Sequence, residues 1–162
     1  MSNLEKTVIV GLGNPFLTDD SVGIKVARLL SKELAAQENI DVTEVYAGGL
    51  RLMDELIGYD RAIIIDAMLS KKCPPGTIKV LTLKDMLDTK NLDCMHDMNL
   101  PMALELGQIG GLKLPSKVEI IGIEAVTVDL FNEEVSPELQ DSIGEAVELV
   151  KKKLGKELIF TE

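Results

Sequence analysis

Short apolar runs rich in β-branched residues alternate along this chain with segments whose apolar residues recur every three or four positions. That alternation limits the fold more than any other feature, because strands interleaved with helices build a parallel or mixed sheet covered on both faces. The strand-like runs are Thr7–Leu12, residues 40–46, "RAIIIDAM" over Arg61–Met68, residues 77–83 and residues 118–123. Helical spacing occupies residues 21–36, with Val22, Val26, Leu29, Leu30 and Leu34 on one face, and residues 50–57. It returns over residues 100–106, opened by Pro101 and closed by Gly107, and over 137–154, with Leu139, Ile143, Val147, Val150 and Leu154 in line. Residues 84–98 read as a polar, irregular connection. No repeat or linker interrupts the pattern, and 162 residues suffice for one domain, 1–162, with a core of its own.

Composition narrows the function classes. A net charge of -10 and a pI near 4.6 oppose a nucleic-acid partner, since phosphate binding relies on clustered Lys and Arg. Cys73 and Cys94 form no CxxC, so neither a disulfide framework nor a structural zinc site is expected. The N-terminal stretch has no basic segment followed by an apolar core, and no apolar run reaches membrane-spanning length. A cytoplasmic protein without a membrane partner is expected.

Ligands of open α/β sheets bind beyond the carboxyl ends of the strands. Asn14, Asp19, Asp20, Asp66 and His96 all fall in connections that open on that edge. Asp19 and Asp20 follow the first strand in "VIVGLGNPFLTDDSVG", where a helix begins; Asp66 ends the most apolar strand; His96 is the one histidine. Each has an ordinary alternative: a helix cap for one of the paired acids, a capping or ion-paired role for Asp66, a loop position for His96. Met95, Met98 and Met102 are expected to pack in or around the core.

Other chemistries lack their residues. Phe16 stands where GxGxxG needs its last glycine, and there is no GxxxxGK[ST], HExxH or GxSxG. Carboxylates with an imidazole form a set that can hold a divalent transition ion and leave positions open to water or substrate.

The chain resembles the hydrogenase maturation endopeptidases, which trim the C-terminus of the nickel-iron hydrogenase large subunit. The resemblance rests on "GLGNPFLTDDSVG", "YAGGL", "GYDRAIIIDAM" with "PPGTI", "MHDMNLPMALELG" and "VEIIGIE", in that order over nearly the whole length. It implies a three-layer α/β/α sandwich with a mostly parallel sheet, of the phosphorylase/hydrolase-like kind. By motif it also implies that Asp20, Asp66 and His96 are the metal-contacting and catalytic set, and that Asn14, Asp19, Gly48 and Gly49 lie along the substrate path. Ala47 replaces an Asp that many relatives carry before the double glycine, and Ser21 replaces a Gly or Ala.

The implied partner is a large-subunit precursor, met by a monomeric protease, and the implied metal is nickel carried by that precursor, with no organic cofactor. A site with two carboxylates should hold free nickel weakly, so nickel already held by the precursor's thiolates would serve as the recognition device. Two rivals share parts of the pattern. "VGLGNP" also resembles the opening of peptidyl-tRNA hydrolase, yet "FLTDDSVG" stands where that enzyme has Thr-Arg-His-Asn. A non-catalytic nickel-sensing or hydrogenase-docking module would present the same ligands without cleaving anything.

Overall fold

The computed structural model describes residues 4–87 and 100–155. Strand β1 (Thr7–Leu12) leads through a short 3-10 turn (Thr18–Ser21) into helix α1 (Val22–Glu33). Then come β2 (Ile40–Val45), α2 (Leu50–Leu56), β3 (Arg61–Met68), β4 (Ile78–Thr82) and the short α3 (Leu83–Leu87). Helix α4 (Leu100–Ile109), β5 (Lys117–Glu124), a 3-10 turn (Pro137–Leu139) and α5 (Gln140–Leu154) complete the order.

The strands form one sheet in the order β2-β1-β3-β5-β4. β1, β2, β3 and β5 run parallel, and β4 pairs antiparallel with β5 at one edge. Every residue of β1 and β3 is buried, as near-continuous apolar strands covered on both faces must be. The edge strands β2 and β4 contain exposed positions instead.

Alternation along the strands divides the core in two. Ile9, Ile63, Ile65, Ile121 and Ile123 face α1 and α5, where Val26, Leu30, Val147 and Val150 meet them. Val10, Leu12, Ile64 and Ile120 face α2 and α4, against Leu52, Leu56, Leu100 and Leu104. Each of the large side chains that is wholly buried contributes roughly 2 kcal/mol of transfer free energy. The result is the expected sandwich with a mostly parallel sheet. Among the described residues no helix is long and apolar enough to cross a membrane.

Charge enters this interior at the amino-terminal edge. Arg61 is buried at the start of β3 and bonds Glu119 Oε1 at 2.7 Å, while Lys153 Nζ reaches Glu119 Oε2 at 2.7 Å. Burial pushes the Glu119 carboxyl up, but the hydrogen bonds from Lys153 and Arg61 outweigh it and hold the group below its ordinary value.

Four expectations need correction. The irregular connection begins with α3, which a capping box opens: Thr82 N–H and hydroxyl donate to Asp85 Oδ2 at 2.8 and 3.0 Å, and Asp85 N–H donates back to Thr82 Oγ1. Helix α4 runs through Gly107 to Ile109, because a Cβ at Gly107 would lie 2.8 Å from both Leu114 and Met53, so the glycine serves close packing and does not end the helix. Leu29 is 42% exposed, since the α1 face that meets the sheet is centred on Val26, Ala27 and Leu30. Met102 is 63% exposed on the outer side of α4; Met95 and Met98 lie outside the described residues.

Candidate active site

Asp19 and Asp20 sit in the 3-10 turn ahead of α1, and neither caps a helix by a side-chain hydrogen bond. What fixes this turn is its contact with the strand ends beneath. A Cβ on Gly23 would lie 2.2 Å from the carbonyl oxygen of Ile65 and 2.8 Å from that of Leu12, so only glycine lets α1 start directly over the ends of β3 and β1. Gly13, at φ +147, faces Asp20 in the same way, with the Asp20 carbonyl oxygen where a Cβ would go. The glycines of "GLGNPFLTDDSVG" thus do not cradle a phosphate; they bring an acidic turn down onto the sheet edge.

Asp20 is 3% exposed, and its Oδ2 accepts the backbone N–H of Asn14 at 3.0 Å. Asn14 in turn accepts the Phe16 N–H on its Oδ1 at 2.9 Å, closing an Asx turn that shapes the loop. Asp66 is wholly buried in β3, in register with Gly122 of β5. By strand alternation it belongs to the face that carries Ala62 and Ile64, the face covered by α2 and α4. Asp20 therefore lies beyond the carboxyl end of β1, and Asp66 within the last three residues of the adjacent strand β3. His96 lies outside the described residues. Its nearest described successor, Leu100, begins α4 and is buried in the same core as Ile64. Among the described residues no three His, Cys, Asp or Glu side chains form a metal-sized group.

Asp19, expected along the substrate path, is turned inward and 0% exposed. Its Oδ2 accepts the N–H groups of Val126 and Thr127 at 2.8 and 3.2 Å and the Ser136 hydroxyl at 2.9 Å, and its Oδ1 accepts the Ser136 N–H at 2.6 Å. Four donors meet the desolvation demand of a buried carboxylate. They also tie the loop between β5 and α5 to the acidic turn. Thr18 N–H donates to Asn132 O at 2.8 Å, Asn132 N–H to Phe16 O at 2.9 Å, and the Thr18 hydroxyl to Leu130 O. Thr18 holds a left-handed φ of +45, a strain of order 1–3 kcal/mol that these bonds offset.

Gly48 and Gly49 follow β2 on the same edge, where Gly13 N–H donates to Val45 O at 3.1 Å. Gly49 adopts φ +66 at the start of α2, and a Cβ there would meet nothing within 4 Å, so this corner opens outward. One acid escaped the reading of the sequence: Glu124, 1% exposed at the end of β5, accepts Ser70 N–H, Ser70 hydroxyl and Lys71 N–H at 3.0, 2.6 and 2.8 Å. It secures the turn that leaves β3 just beyond Asp66. Its signal was a Glu closing the apolar strand "VEIIGIE", where a buried carboxylate must find donors.

Comparison with known proteins agrees with this architecture. The chain is 26% identical over 120 residues to the hydrogenase 2 maturation protease of Escherichia coli, covering 73% of this chain and 72% of that one. It superposes on the maturating endopeptidase HybD of Escherichia coli with a TM-score of 0.70 at 22% identity, covering 93% of each chain. A hydrogenase 2 maturation peptidase from a Thaumarchaeota archaeon gives 0.67 at 26% identity, covering 93% of this chain and 99% of that one. The family model described as HycI, hydrogenase maturation protease, matches residues 24–153. Because that match runs from α1 into the last turn of α5 and takes in Asp66, the chain belongs to the hydrogenase maturation proteases, a family of peptide-bond hydrolases.

Proposed function

We propose that this protease removes the C-terminal extension of a nickel-loaded nickel-iron hydrogenase large-subunit precursor, and that Asp20, Asp66 and His96 engage the precursor's nickel. The observation that carries the reading is the burial of Asp20 and Asp66 at the carboxyl-end side of the adjacent strands β1 and β3, where open α/β sheets take their ligands. Family membership supports the peptidase activity.

The donor chemistry fits a metal that arrives with its substrate. Two carboxylates and an imidazole are hard and borderline donors, too few to compete for free nickel against a site that already offers thiolates. Nickel held in the precursor would supply Lewis-acid polarisation at the scissile peptide. The protein's own groups do the rest. The Asn14 N–H fixes the plane of the Asp20 carboxylate. Burial of Asp20 and Asp66 strengthens their attraction for a cation, as screening by water is reduced. One of the two carboxylates would take the proton of the attacking water as general base. Gly48, Gly49 and Asn14, on the open side of the same edge, would let the extension approach along the backbone.

The reading is tested by incubating the protein with purified precursor, nickel-loaded or nickel-free, and following precursor size on a gel. Wild type should shorten only the loaded form, and Asp20→Asn, Asp66→Asn and His96→Ala should each lose cleavage. Undiminished cleavage by all three variants would exclude the proposed set.

A further inference from the structure

Beside the acidic turn the surface carries a feature that cleavage chemistry does not use. Phe16 and Phe131 stack with ring centroids 6.2 Å apart and planes 7° from parallel, yet the two residues are 49% and 85% exposed. Leu130 and Val126 extend the patch at 62% and 43% exposure. A groove of about 760 Å³ runs beside them, lined by Thr18, Leu130, Phe131, Glu134 and Glu138 among others.

Three observations identify what such a surface receives. The patch is held rigidly: Leu17 and Asn132 form a parallel bridge, and Asp19 clamps both ends of the loop that carries Phe131. Exposed aromatic rings on an anchored loop lose little freedom on binding, the property of an interface anchor. The rim has one sign of charge, since Asp129, Glu133, Glu134 and Glu138 are exposed and residues 126–138 contain no Lys or Arg. The patch is also continuous with the candidate active site, because Phe16 and Asp20 belong to one loop joined through Asn14.

From these we infer that the Phe16–Phe131 stack and its acid-rimmed groove are the docking surface for the hydrogenase precursor, receiving a segment with a large apolar side chain flanked by Lys or Arg. The inference rests on the reading that the precursor is cut at the Asp20 edge. Binding here fixes the precursor's position before the acids act, so it governs KM and association and leaves kcat to the cleavage site.

The test uses the full chain with Phe131→Ala and, separately, the double variant Glu134→Lys/Glu138→Lys, each checked by thermal denaturation for an unchanged fold. With purified nickel-loaded precursor, each variant should raise KM by about tenfold and leave kcat within about twofold of wild type. Salt should weaken binding by wild type and have little effect on binding by the charge-reversed variant. Wild-type KM in both variants, with Asp20→Asn inactive, would overturn the docking surface and leave the cleavage reading standing. Should wild type cleave nothing, calorimetry of the same precursor decides: about tenfold weaker binding by Phe131→Ala supports the surface, and equal or absent binding overturns it.

Discussion

Asp19 and Ser136, far apart along the chain, meet through two hydrogen bonds, from the Ser136 N–H at 2.6 Å and the Ser136 hydroxyl at 2.9 Å. This pair joins the loop before α5 to the turn that carries Asp20. Removing the carboxylate with Asp19→Ala strands buried donors and should destabilise the fold by about 3 kcal/mol, whereas Ser136→Ala should cost about 1 kcal/mol. Urea denaturation of the two variants checks the ranking; equal stability in both would mean that the carboxylate does not organise this loop.

Gly23 sets how closely α1 approaches β3. A methyl group there would sit 2.2 Å from Ile65 O, a backbone atom that cannot swing aside. Gly23→Ala should therefore destabilise by roughly 2–3 kcal/mol and, by lifting the turn off the sheet edge, reduce cleavage more than stability alone explains. Denaturation together with cleavage rates below the melting range separates the two effects.

The Arg61–Glu119–Lys153 cluster gives the protein an acid limit. Because the folded Glu119 carboxyl lies below its ordinary 4.5, its contribution is fully present above that value and is lost as pH falls through the lower folded one. Between about pH 5 and about pH 3, wild type should lose more Tm than Glu119→Gln does. At pH 7 the variant should melt roughly 5 °C below wild type, since Arg61 is left buried with a weaker partner. Calorimetry at the three pH values measures both; parallel curves would mean that Glu119 sets no acid limit.

The sheet was legible because its central strands are apolar on both faces, which leaves β1 and β3 little alternative to burial. Asp66 stood out because an acid in an apolar strand needs a partner, and Asp20 because it adjoins a second acid just ahead of a helix. The role of Asp19 was not, because its partners lie 107 to 117 positions away in a loop with no periodicity. The exposed Phe16–Phe131 stack joins two loops and leaves no trace in either. Helix α3 had a readable signal in Thr82-x-x-Asp85, which its polar surroundings obscured. Gly107 shows the opposite error: glycine suggested an end, while crowding by Met53 and Leu114 required it inside a helix.

On the proposed function, the precursor's nickel should gain ligands from this protein. X-ray absorption at the nickel edge, recorded on the loaded precursor alone and bound to the protease, reads those ligands directly. Added oxygen or nitrogen neighbours are expected in the complex with wild type, reduced with Asp20→Asn, Asp66→Asn and His96→Ala. A nickel environment that is identical in the free precursor, the wild-type complex and all three variant complexes would contradict it.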